Sequence, residues 1–511
     1  MTGRVHFRLE GRVCRAAAVA GVFLLAASGA RAGNSPEDQV QRTFEKTVTL
    51  TGNQGVSLDN RFGTVRVTAG GGREVKINAT IHVQAKSKED AQGFADKIQI
   101  DVQQSGDGVH VKTIYPDEHS KYVFRIEWKK TSYSVDYDVT MPADASLWVR
   151  NDFGNTEIAG VRGWAQVENG HGSINVRDAG SAKITNSFGK IELNNAGGQC
   201  TVVNNNGSVE LSNIKGALDV RNRFGGITAT QLGGPATISG GNGSVEVSST
   251  TASVIITNSF GNVTARNING NLSVRNNNAK LEASDISGNA ELATSFGEVQ
   301  VERVGGTLTV EDNNGQVNAN EIHGATNIKT SFGRINAKRL FKGASLITGN
   351  GNIDADGVDG DVFAKTSFGS VDARNIKGKL TAQDQNGAVT ASSIAGDAAV
   401  ETSFGGVTLS GVGGKIRVDN QNGAIDVTAA SSGACKDIVL KTSFSHVSVR
   451  IPATSGYKVS ARTSFGRISS ELPITSTGTI GSDILEGTIG NGACTLGLSN
   501  SNGSIEIGKS L

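Results

Sequence analysis

The sequence predicts an all-β fold: a single-stranded-coil β-solenoid (β-helix) with about 18 residues per coil, preceded by a small α+β N-terminal cap. Phe-Gly pairs recur 36 residues apart, Asn-Gly pairs lie midway between them, and apolar residues alternate with polar ones in the intervening stretches. A fixed short period indicates stacked repeats that each contact only their neighbours. The predicted structural corners of the repeat include Phe188, Gly189, Asn206, Gly207, Phe224, Gly225, Phe260, Gly261, Phe296, Gly297, Phe332, Gly333, Phe368, Gly369, Phe404 and Gly405.

The composition of the 511-residue chain agrees with many tight turns joined by short strands. Glycine accounts for 67 residues, proline for only 6, and aromatic residues for 5% of the chain. Because the glycines occupy fixed positions of the repeat, this is not the composition of a disordered chain. The net charge is +1 with acidic and basic residues interspersed, so nothing favours a nucleic acid or an anionic membrane as partner.

Each coil is predicted to hold two short strands with one buried face. The coil after Gly207 has apolar residues at Val209, Leu211 and Ile214, and then at Leu218 and Val220. This spacing of two residues, rich in valine and isoleucine, is typical of half-buried strands. The strands turn at the Phe-Gly or Asn-Gly corner and at an Ile-x-Gly corner. Equivalent positions of successive coils should stack in buried columns, one of which contains Val209, Val263 and Val371.

A polar residue precedes each corner glycine by three positions. Stacked Asn and Thr side chains can form hydrogen bonds along the axis and satisfy backbone groups of the turns. A sugar-binding or ice-binding face is the alternative, but this is a single mixed column, so we favour a structural ladder. The column consists of Asn186, Asn204, Asn222, Asn258, Asn276, Thr294, Asp312, Thr330, Thr348, Thr366, Asp384, Thr402 and Asn420.

The phenylalanine at every second corner is open to two interpretations. If Val220 and Asn222 point inward, alternation along the strand directs Phe224 inward as well. Each ring would then fill a corner pocket that spans two coils, and the smaller Asn on the alternate coil would make room. We favour this packing. If the corner reverses the alternation, the phenylalanines form an exposed ladder that could bind a ligand.

Residues 1–32 are predicted to be a secretory signal peptide. Four arginines precede an apolar run at 16–27, and Ala30 and Ala32 supply the small residues of a cleavage site. A membrane anchor is the weaker alternative, since the run is too short to span a bilayer. The protein is therefore expected to be exported to the periplasm, the cell surface or the medium. No later segment predicts a membrane span in the mature chain.

The rest of the chain divides into three predicted parts. Residues 33–150 form the α+β cap and a first coil with a corner at Phe62, residues 151–430 form regular repeats, and residues 431–511 form irregular coils and a C-terminal cap. Within the first part, a helix should begin at Ser87. Residues 475–491 fit either an irregular coil or a projecting hairpin. Cap strands are predicted at 75–85, 98–103, 109–114, 123–128 and 135–141, and the buried helix face at Ala91, Phe94, Ala95 and Ile98.

Three cysteines remain after removal of the signal peptide. Cys200 occupies a column otherwise filled by leucine, which predicts a buried hydrophobic side chain. Cys435 and Cys494 lie at least two coils apart if the coils stack in chain order, or roughly 9.6 Å at the usual strand spacing. The Cα atoms of a disulfide lie within about 7 Å of each other. We therefore favour unpaired thiols, although a bridge stays open.

No residue pattern predicts catalysis. Asp354, Asp356 and Asp359 lie close together, but no matching acidic cluster follows one coil later at Asp372 and Asn375. The seven histidines lack metal-ligand spacing. We predict no catalytic residue, no cofactor-binding residue, no metal site and no cofactor, and hence a protein that is not an enzyme.

The repeats resemble the bacterial "putative adhesin" family, also known as DUF4097-type β-strand repeat proteins. The resemblance rests on Asn-x-Asn-Gly-x-Val and Thr-Ser-Phe-Gly-x-Val coils, on the strand at 135–142 and on the ending at 498–507, and it covers residues 40–511. It implies an exported, non-enzymatic solenoid that binds or scaffolds envelope or extracellular components. The partner is unknown; a glycan and an envelope protein stay open. A regulatory envelope-stress protein is the alternative function, and a polysaccharide-degrading β-helix enzyme is a remote one.

Overall fold

The computed structural model is an all-β solenoid of about 17 turns with about 18 residues per coil, which confirms the predicted fold class. It describes residues 38–116, 131–430, 434–476 and 481–510. The predicted signal peptide and the predicted strand at 123–128 lie outside the described residues. The single helix of the described part belongs to the N-terminal cap.

The N-terminal cap mixes antiparallel strands with this helix. Ser87 is the helix N-cap, and its hydroxyl accepts a hydrogen bond from the backbone N–H of Asp90 at 3.1 Å. The predicted apolar face is confirmed, because Ala91, Phe94, Ala95 and Ile98 are all buried. The elements are β1 (Gln39–Thr49), β2 (Gly55–Phe62), β3 (Val65–Gly70), β4 (Glu74–Gln84), α1 (Lys88–Ala95), β5 (Gln99–Gln104), β6 (Gly108–Ile114) and β7 (Ser132–Pro142).

The cap joins the solenoid through its first coil. Strands β1, β4 and β7 are antiparallel, and β7 then pairs in parallel with β3. Strand β6 pairs in parallel with β2. The coil formed by β2 and β3 therefore lies between the cap and the coil that begins at Leu147, although the cap strands separate them in sequence.

The repeats supply two strands per coil. They are β8 (Leu147–Phe153), β9 (Thr156–Ala159), β10 (Trp164–His171), β11 (Ile174–Ala179), β12 (Ser181–Phe188), β13 (Ile191–Ala196), β14 (Cys200–Asn206), β15 (Val209–Ile214), β16 (Leu218–Phe224), β17 (Ile227–Leu232), β18 (Ala236–Asn242), β19 (Val245–Thr250), β20 (Val254–Phe260), β21 (Val263–Ile268), β22 (Leu272–Asn278), β23 (Leu281–Ile286), β24 (Ala290–Phe296), β25 (Val299–Val304), β26 (Leu308–Asp312), β27 (Val317–Ile322), β28 (Thr326–Lys329), β29 (Ile335–Leu340), β30 (Ala344–Ile347), β31 (Ile353–Val358), β32 (Val362–Lys365), β33 (Val371–Ile376), β34 (Leu380–Gln383), β35 (Val389–Ile394), β36 (Ala398–Thr402), β37 (Val407–Val412), β38 (Ile416–Asn420) and β39 (Ile425–Ala429).

The strands of successive coils pair in parallel with a register of one repeat. Val209 of β15 pairs with Ile227 of β17 in one sheet, and Leu218 of β16 pairs with Ala236 of β18 in the other. The alternating pattern directs apolar side chains from both sheets into a continuous interior. Val209, Val263 and Val371 are at most 1% exposed, which confirms the predicted buried column.

From Gly160 to Gly411, each coil also has one residue in the left-handed backbone region near the end of the strand that follows the corner. In β15 this residue is Asn213, with φ 55°, and it directs the next residue, Ile214, into the core. The sequence analysis did not identify this turn, because glycine rarely occupies it and the side chains include Arg303 and Glu321. Asn and Asp tolerate this region best. The non-glycine members are Asp178, Asn195, Asn213, Gln231, Ser249, Asn267, Asp285, Arg303, Glu321, Arg339, Asn375 and Ser393.

The C-terminal strands do not stack in chain order. Strand β46 pairs in parallel with both β40 and β42, and β47 pairs in parallel with both β41 and β43. The last coil of the chain is thus inserted between two earlier coils. The bounds are β40 (Ile438–Lys441), β41 (Val447–Pro452), β42 (Tyr457–Thr463), β43 (Ile468–Ser470), β44 (Thr475–Ser476), β45 (Ile484–Ile489), β46 (Cys494–Asn500) and β47 (Ile505–Ser510).

The described residues between 475 and 491 include the antiparallel strands β44 and β45, not the two parallel strands of a further coil. Strand β45 pairs with both β42 and β44 in antiparallel fashion. The hairpin alternative is therefore correct in strand direction, but β45 lies against the edge of the sheet instead of projecting from it. This arrangement covers an edge that would otherwise expose unpaired backbone groups.

The prediction that Cys435 and Cys494 are unpaired is wrong. They form a disulfide with a Cα–Cα distance of 6.0 Å. The prediction assumed stacking in chain order, whereas insertion of β46 beside β40 makes the two cysteines neighbours. Cys200 is free and buried, as predicted, and burial raises the pKa of its thiol.

We expect replacement of Cys494 by Ala to loosen the inserted coil. The disulfide closes a loop of 59 residues, and such a crosslink typically contributes about 2–4 kcal/mol. Hydrogen exchange should become faster in β46 and β47 while β15 and β16 keep their protection. The variant Cys200→Ala, which leaves the disulfide intact, is the control. Unchanged exchange in β46 would show that strand pairing alone holds the coil.

Candidate functional site: an exposed phenylalanine ladder

The corner of nearly every regular coil is filled by a buried polar side chain; the coil with Asn242 has Gly240 at this position. Asn222 is 2% exposed, and its Nδ2 donates to the carbonyl oxygens of Gly207 and Gly225, both at 2.9 Å. Gly225 has φ +117°, and a Cβ atom on it would overlap the carbonyl oxygen of Gly207 in the coil below. The corner therefore favours glycine for its backbone conformation and for the close approach of neighbouring coils, although Ala279 and Ser445 occupy the equivalent position in two coils.

The polar column takes two forms along the rod. Up to Asn276 the side chains donate to glycine carbonyls, as Asn222 does. From Asp312 onward most of them accept from the corner glycine N–H, for example from Gly315 to Asp312 at 2.7 Å and from Gly333 to Thr330 at 3.2 Å. These bonds and the burial of the column confirm a structural ladder and leave no accessible sugar-binding or ice-binding face there.

The prediction that the phenylalanines are packed in the corners is wrong. Phe188 is 51% exposed, Phe296 is 56% exposed and Phe368 is 66% exposed. The buried amide of Asn222 and the stacked glycines already occupy the corner that Phe224 would need. The chain bends after the polar residue, so the inward alternation stops there and the ring remains outside. The alternative interpretation, an exposed ladder, is correct.

We call these rings the aromatic ladder. They lie at every second coil, which places neighbouring rings about 9.6 Å apart and spreads the whole series over roughly 75 Å. Their exposed fractions range from 39% to 79%. The nine members are Phe188, Phe224, Phe260, Phe296, Phe332, Phe368, Phe404, Phe444 and Phe465.

An asparagine occupies the corner of each intervening coil, and we call these residues the amide rungs. Asn206 pairs in register with Phe188 on one side and with Phe224 on the other. Side-chain Nδ2 atoms of Asn386 and Asn422 donate to serine carbonyls of the preceding coil at 2.9 and 3.0 Å. An amide has two N–H donors and an accepting oxygen, so capacity for a ligand remains. The rungs are Asn206, Asn242, Asn278, Asn314, Asn350, Asn386, Asn422 and Asn502.

The inserted C-terminal coil continues the alternation of rings and amides. Phe444 forms a bridge with Asn502, and the backbone N–H of Phe465 donates to Ser501. In space the order is therefore Phe444, Asn502, Phe465, although Asn502 comes last in sequence. The sequence analysis did not predict this arrangement, although the sequence contains a sign of it. Two phenylalanine corners, Phe444 and Phe465, follow each other before the asparagine corner at Asn502, so rings and asparagines do not alternate in chain order.

The N-terminal end of the ladder is a continuous aromatic stack. Phe62, Phe153, His171 and Phe188 lie on successive coils, with centroid distances of 5.3, 4.7 and 4.7 Å between neighbours. Tyr115 and Tyr133 of the cap pack edge-on against Phe62. The cap therefore closes the series at this end, and the alternation of rings with asparagines begins at Phe188.

Charge is almost absent from the ladder. Its repeating residues are serine, phenylalanine, glycine and asparagine, with Arg223, whose guanidinium lies 5.2 Å from the centroid of the Phe224 ring, as an exception. Charged residues lie on the sheets and pair between coils, as Arg303 does with Asp285 at 2.6 Å. The rings and amides themselves are therefore uncharged, and charged residues such as Lys190, Glu298 and Arg334 follow the corner glycines.

The acidic residues around position 356 are paired with basic residues. Asp354 and Asp372 both contact Arg374, at 3.0 and 3.5 Å, and Asp359 contacts Lys377 at 2.8 Å. The neighbouring carboxylates, Asp372 first, raise the pKa of Arg374. Within the described part of the chain, no group of three or more His, Cys, Asp and Glu side chains is arranged to hold a metal ion. The described helix is too short and too polar to cross a membrane.

We expect replacement of Phe296 by Ala to change the free energy of unfolding by less than about 1 kcal/mol, because its ring is largely exposed. Leu292 lies in the same strand and is 1% exposed, so Leu292→Ala should cost about 2–5 kcal/mol. Chemical unfolding of both variants measures the contrast. Equal losses would show that the ring is packed.

We expect replacement of Asp312 by Thr to stabilise the fold at pH 7. Burial raises the pKa of Asp312, so the fold favours its protonated form. The stability that protonated Asp312 contributes to the fold is fully present below the unfolded pKa of about 3.9, and it is lost as the pH rises through the folded pKa. Thr can accept the same glycine N–H without a charge, as Thr330 does. The unfolding free energy that Asp312→Thr gains over the parent protein should therefore become smaller as the pH is lowered from 7 to 4.

The matched control for this pH dependence is Asp285→Asn. The hydrogen bond from Arg303 lowers the pKa of Asp285, so its contribution is present above the unfolded pKa and is lost as the pH falls. Asp285→Asn should thus destabilise at pH 7, by no more than about 1 kcal/mol for an exposed pair. A gain for Asp312→Thr that grew toward pH 4 would contradict this account.

No family model and no curated protein matches the chain. Solved structures with similarity include a "putative cell adhesion protein" from Clostridium sporogenes, with 11% identity, 57% of this chain and 100% of that chain covered and a TM-score of 0.16. A "putative adhesin" from Bacteroides fragilis has 11% identity, coverage of 57% and 97% and a TM-score of 0.20. One from Parabacteroides distasonis has 9% identity, coverage of 80% and 97% and a TM-score of 0.13. These scores are too low to transfer any function.

Proposed function

We propose that this protein is an exported, non-enzymatic adhesin that binds a cell-envelope or extracellular component through its aromatic ladder. The observation that carries the proposal is the row of nine exposed phenylalanines at a constant two-coil spacing. Exposed aromatic rings are unfavourable in water, and such a surface commonly marks a site of interaction. Since the corner interiors are already filled, the rings make no large contribution to packing, and ligand contact accounts for them best.

The length of the ladder suits a ligand that is itself extended. Each ring offers a small contact area, so one ring binds weakly. Nine equivalent rings can engage a long or repetitive ligand together, and each further contact is intramolecular once the first has formed. A rigid stack of parallel strands holds the rings at fixed spacing, which lowers the entropy cost of binding many of them.

Export, family and domain organisation belong to the same proposal. The predicted signal at 1–32 would direct the protein to the periplasm, the cell surface or the medium. Residues 33–150 would act as cap and first coil, 151–430 as the regular binding rod, and 431–511 as the closing end. Membership of the DUF4097-type family is proposed on the repeat motifs.

An envelope-stress role through a protein partner is the second function, and the binding experiment below separates the two.

The experiment compares binding of residues 33–511 to intact cells, isolated peptidoglycan and a panel of polysaccharides. One variant replaces Phe260, Phe296 and Phe332 of the ladder by Ser. The matched control replaces exposed apolar residues off the ladder by Ser, namely Ile255, Val439 and Ile484.

We expect saturable binding that the ladder variant weakens at least about tenfold while the control variant binds normally. Equal binding by both variants would contradict a role of the ladder. Absence of saturable binding by the folded protein to any of these targets would contradict the adhesin proposal and favour a protein partner.

A further inference from the structure

We infer that the ligand of the aromatic ladder is an uncharged, unbranched β-1,4-linked glycan that lies along the rod, with alternate sugars stacked on successive rings. This inference rests on the proposed function and specifies its ligand. Three properties of the ladder lead to it: its repeat length, the chemistry of its rungs and the separation of its rings.

The repeat length of the ladder agrees with that of such a glycan. Rings recur every second coil, or about every 9.6 Å. In an extended β-1,4-linked glycan each sugar is turned over relative to the previous one, so the same face recurs at every second sugar, at nearly the same distance. A glycan chain parallel to the solenoid axis can therefore present an equivalent sugar face to a few neighbouring rings at a time.

The chemistry of the rungs also fits a sugar chain. The face of a phenyl ring carries partial negative charge and attracts the C–H groups on the flat face of a pyranose. Between Phe188 and Phe224 lies Asn206, opposite the sugar that is turned over. Its amide can both donate to and accept from sugar hydroxyl or N-acetyl groups. Rings and amides thus alternate in the order that alternating sugar faces require.

The absence of charge from the repeating rungs favours an uncharged glycan over a polyanion. Recognition of carboxylate, sulfate or phosphate groups usually uses Arg or Lys. Of the ladder corners, the one at Phe224 has an adjacent arginine, and its guanidinium lies over the ring at 5.2 Å. The corners at Phe188, Phe260 and Phe296 are preceded by serine.

The separation of the rings argues against a protein or a membrane as the occupant. The centre of a protein interface is a contiguous apolar patch that excludes water. Here an amide interrupts the rings at every second coil, so no contiguous patch forms. A membrane-binding surface would combine apolar groups with basic residues, and the net charge of the chain is only +1.

The first test measures affinity against chain length by calorimetry. The probes are cello-oligosaccharides and chito-oligosaccharides of two to eight sugars, added to residues 33–511. Multivalent contact predicts that four sugars, which span two rings, bind at least about tenfold more tightly than two sugars, with a further gain at six. Malto-oligosaccharides of equal length are the control, since their α-1,4 linkage makes a curved chain that departs from the straight row of rings.

Two variants connect this length dependence to the ladder. Phe296→Ser removes one ring and leaves a gap of four coils, which eliminates two of the eight neighbouring ring pairs. It should therefore lower the number of sites that bind four sugars by about a quarter and weaken long chains. The double variant Asn278→Ala and Asn314→Ala keeps the rings but removes the two amides beside Phe296, and should lower the number of high-affinity sites for β-1,4 oligosaccharides. Ile255→Ser, which changes an exposed apolar residue off the ladder, should bind like the parent protein.

The outcomes separate this inference from the proposed function. Two outcomes overturn the glycan inference and leave the adhesin proposal standing, provided that the protein still binds cells through its ladder. In the first, the protein binds no oligosaccharide. In the second, it binds chains of two and eight sugars with equal affinity. Equal binding of malto-oligosaccharides overturns the role of the repeat length. Ladder-dependent binding to neutral phosphatidylcholine vesicles in place of glycans also overturns it, in favour of a lipid surface. Cell binding that survives loss of the rings overturns both proposals.

Discussion

The close stacking of corner glycines determines the rest of this structure. Gly225 lies so near the carbonyl of Gly207 that a Cβ atom has no room, and the same contact recurs from coil to coil. A strand that slipped by one residue would place a larger side chain, such as a corner phenylalanine or asparagine, in a contact that holds glycine or, in two coils, Ala279 and Ser445. The register is therefore set at the corner, and it places Val209, Ile227 and their equivalents in one buried column. Polar residues at the alternate positions then form the two outer faces of the rod.

The buried polar column explains why the phenylalanines lie on the surface of the rod. Its amides, hydroxyls and carboxylates satisfy backbone groups that the turns leave unpaired inside the rod. In doing so they occupy the corner, and each phenylalanine is left outside. The exposed aromatic ladder is therefore a consequence of how the turn is hydrogen-bonded, and its spacing is inherited from the stacking of strands. The spacing of the proposed binding groups is thus set by the spacing of the coils, and we therefore expect the ligand to be a repeating chain.

The two ends of the rod are capped in similar ways. At each end a coil is held between segments that are distant in sequence: the coil of β2 and β3 between the cap and β8, and the coil of β46 and β47 between earlier coils. Antiparallel strands then cover the outermost sheet edges. At the C-terminal end the Cys435–Cys494 disulfide fastens the inserted coil. This order preserves the alternation of Phe444, Asn502 and Phe465 on the ladder.

The sequence by itself determined the solenoid, its period, the buried column of Val209, the polar ladder at Asn222 and the helix that begins at Ser87. The repeat features depend on contacts between identical positions of adjacent repeats, so a periodic pattern contains them in full, whereas the helix depends on its local cap and apolar spacing. Tertiary structure alone decided the direction of Phe224, the left-handed turn at Asn213 and the Cys435–Cys494 disulfide. The first two depend on how a bend redirects side chains, which alternation along a straight strand does not specify. The third depends on a coil inserted out of chain order, and no local pattern encodes a contact between segments whose order in space differs from their order in sequence.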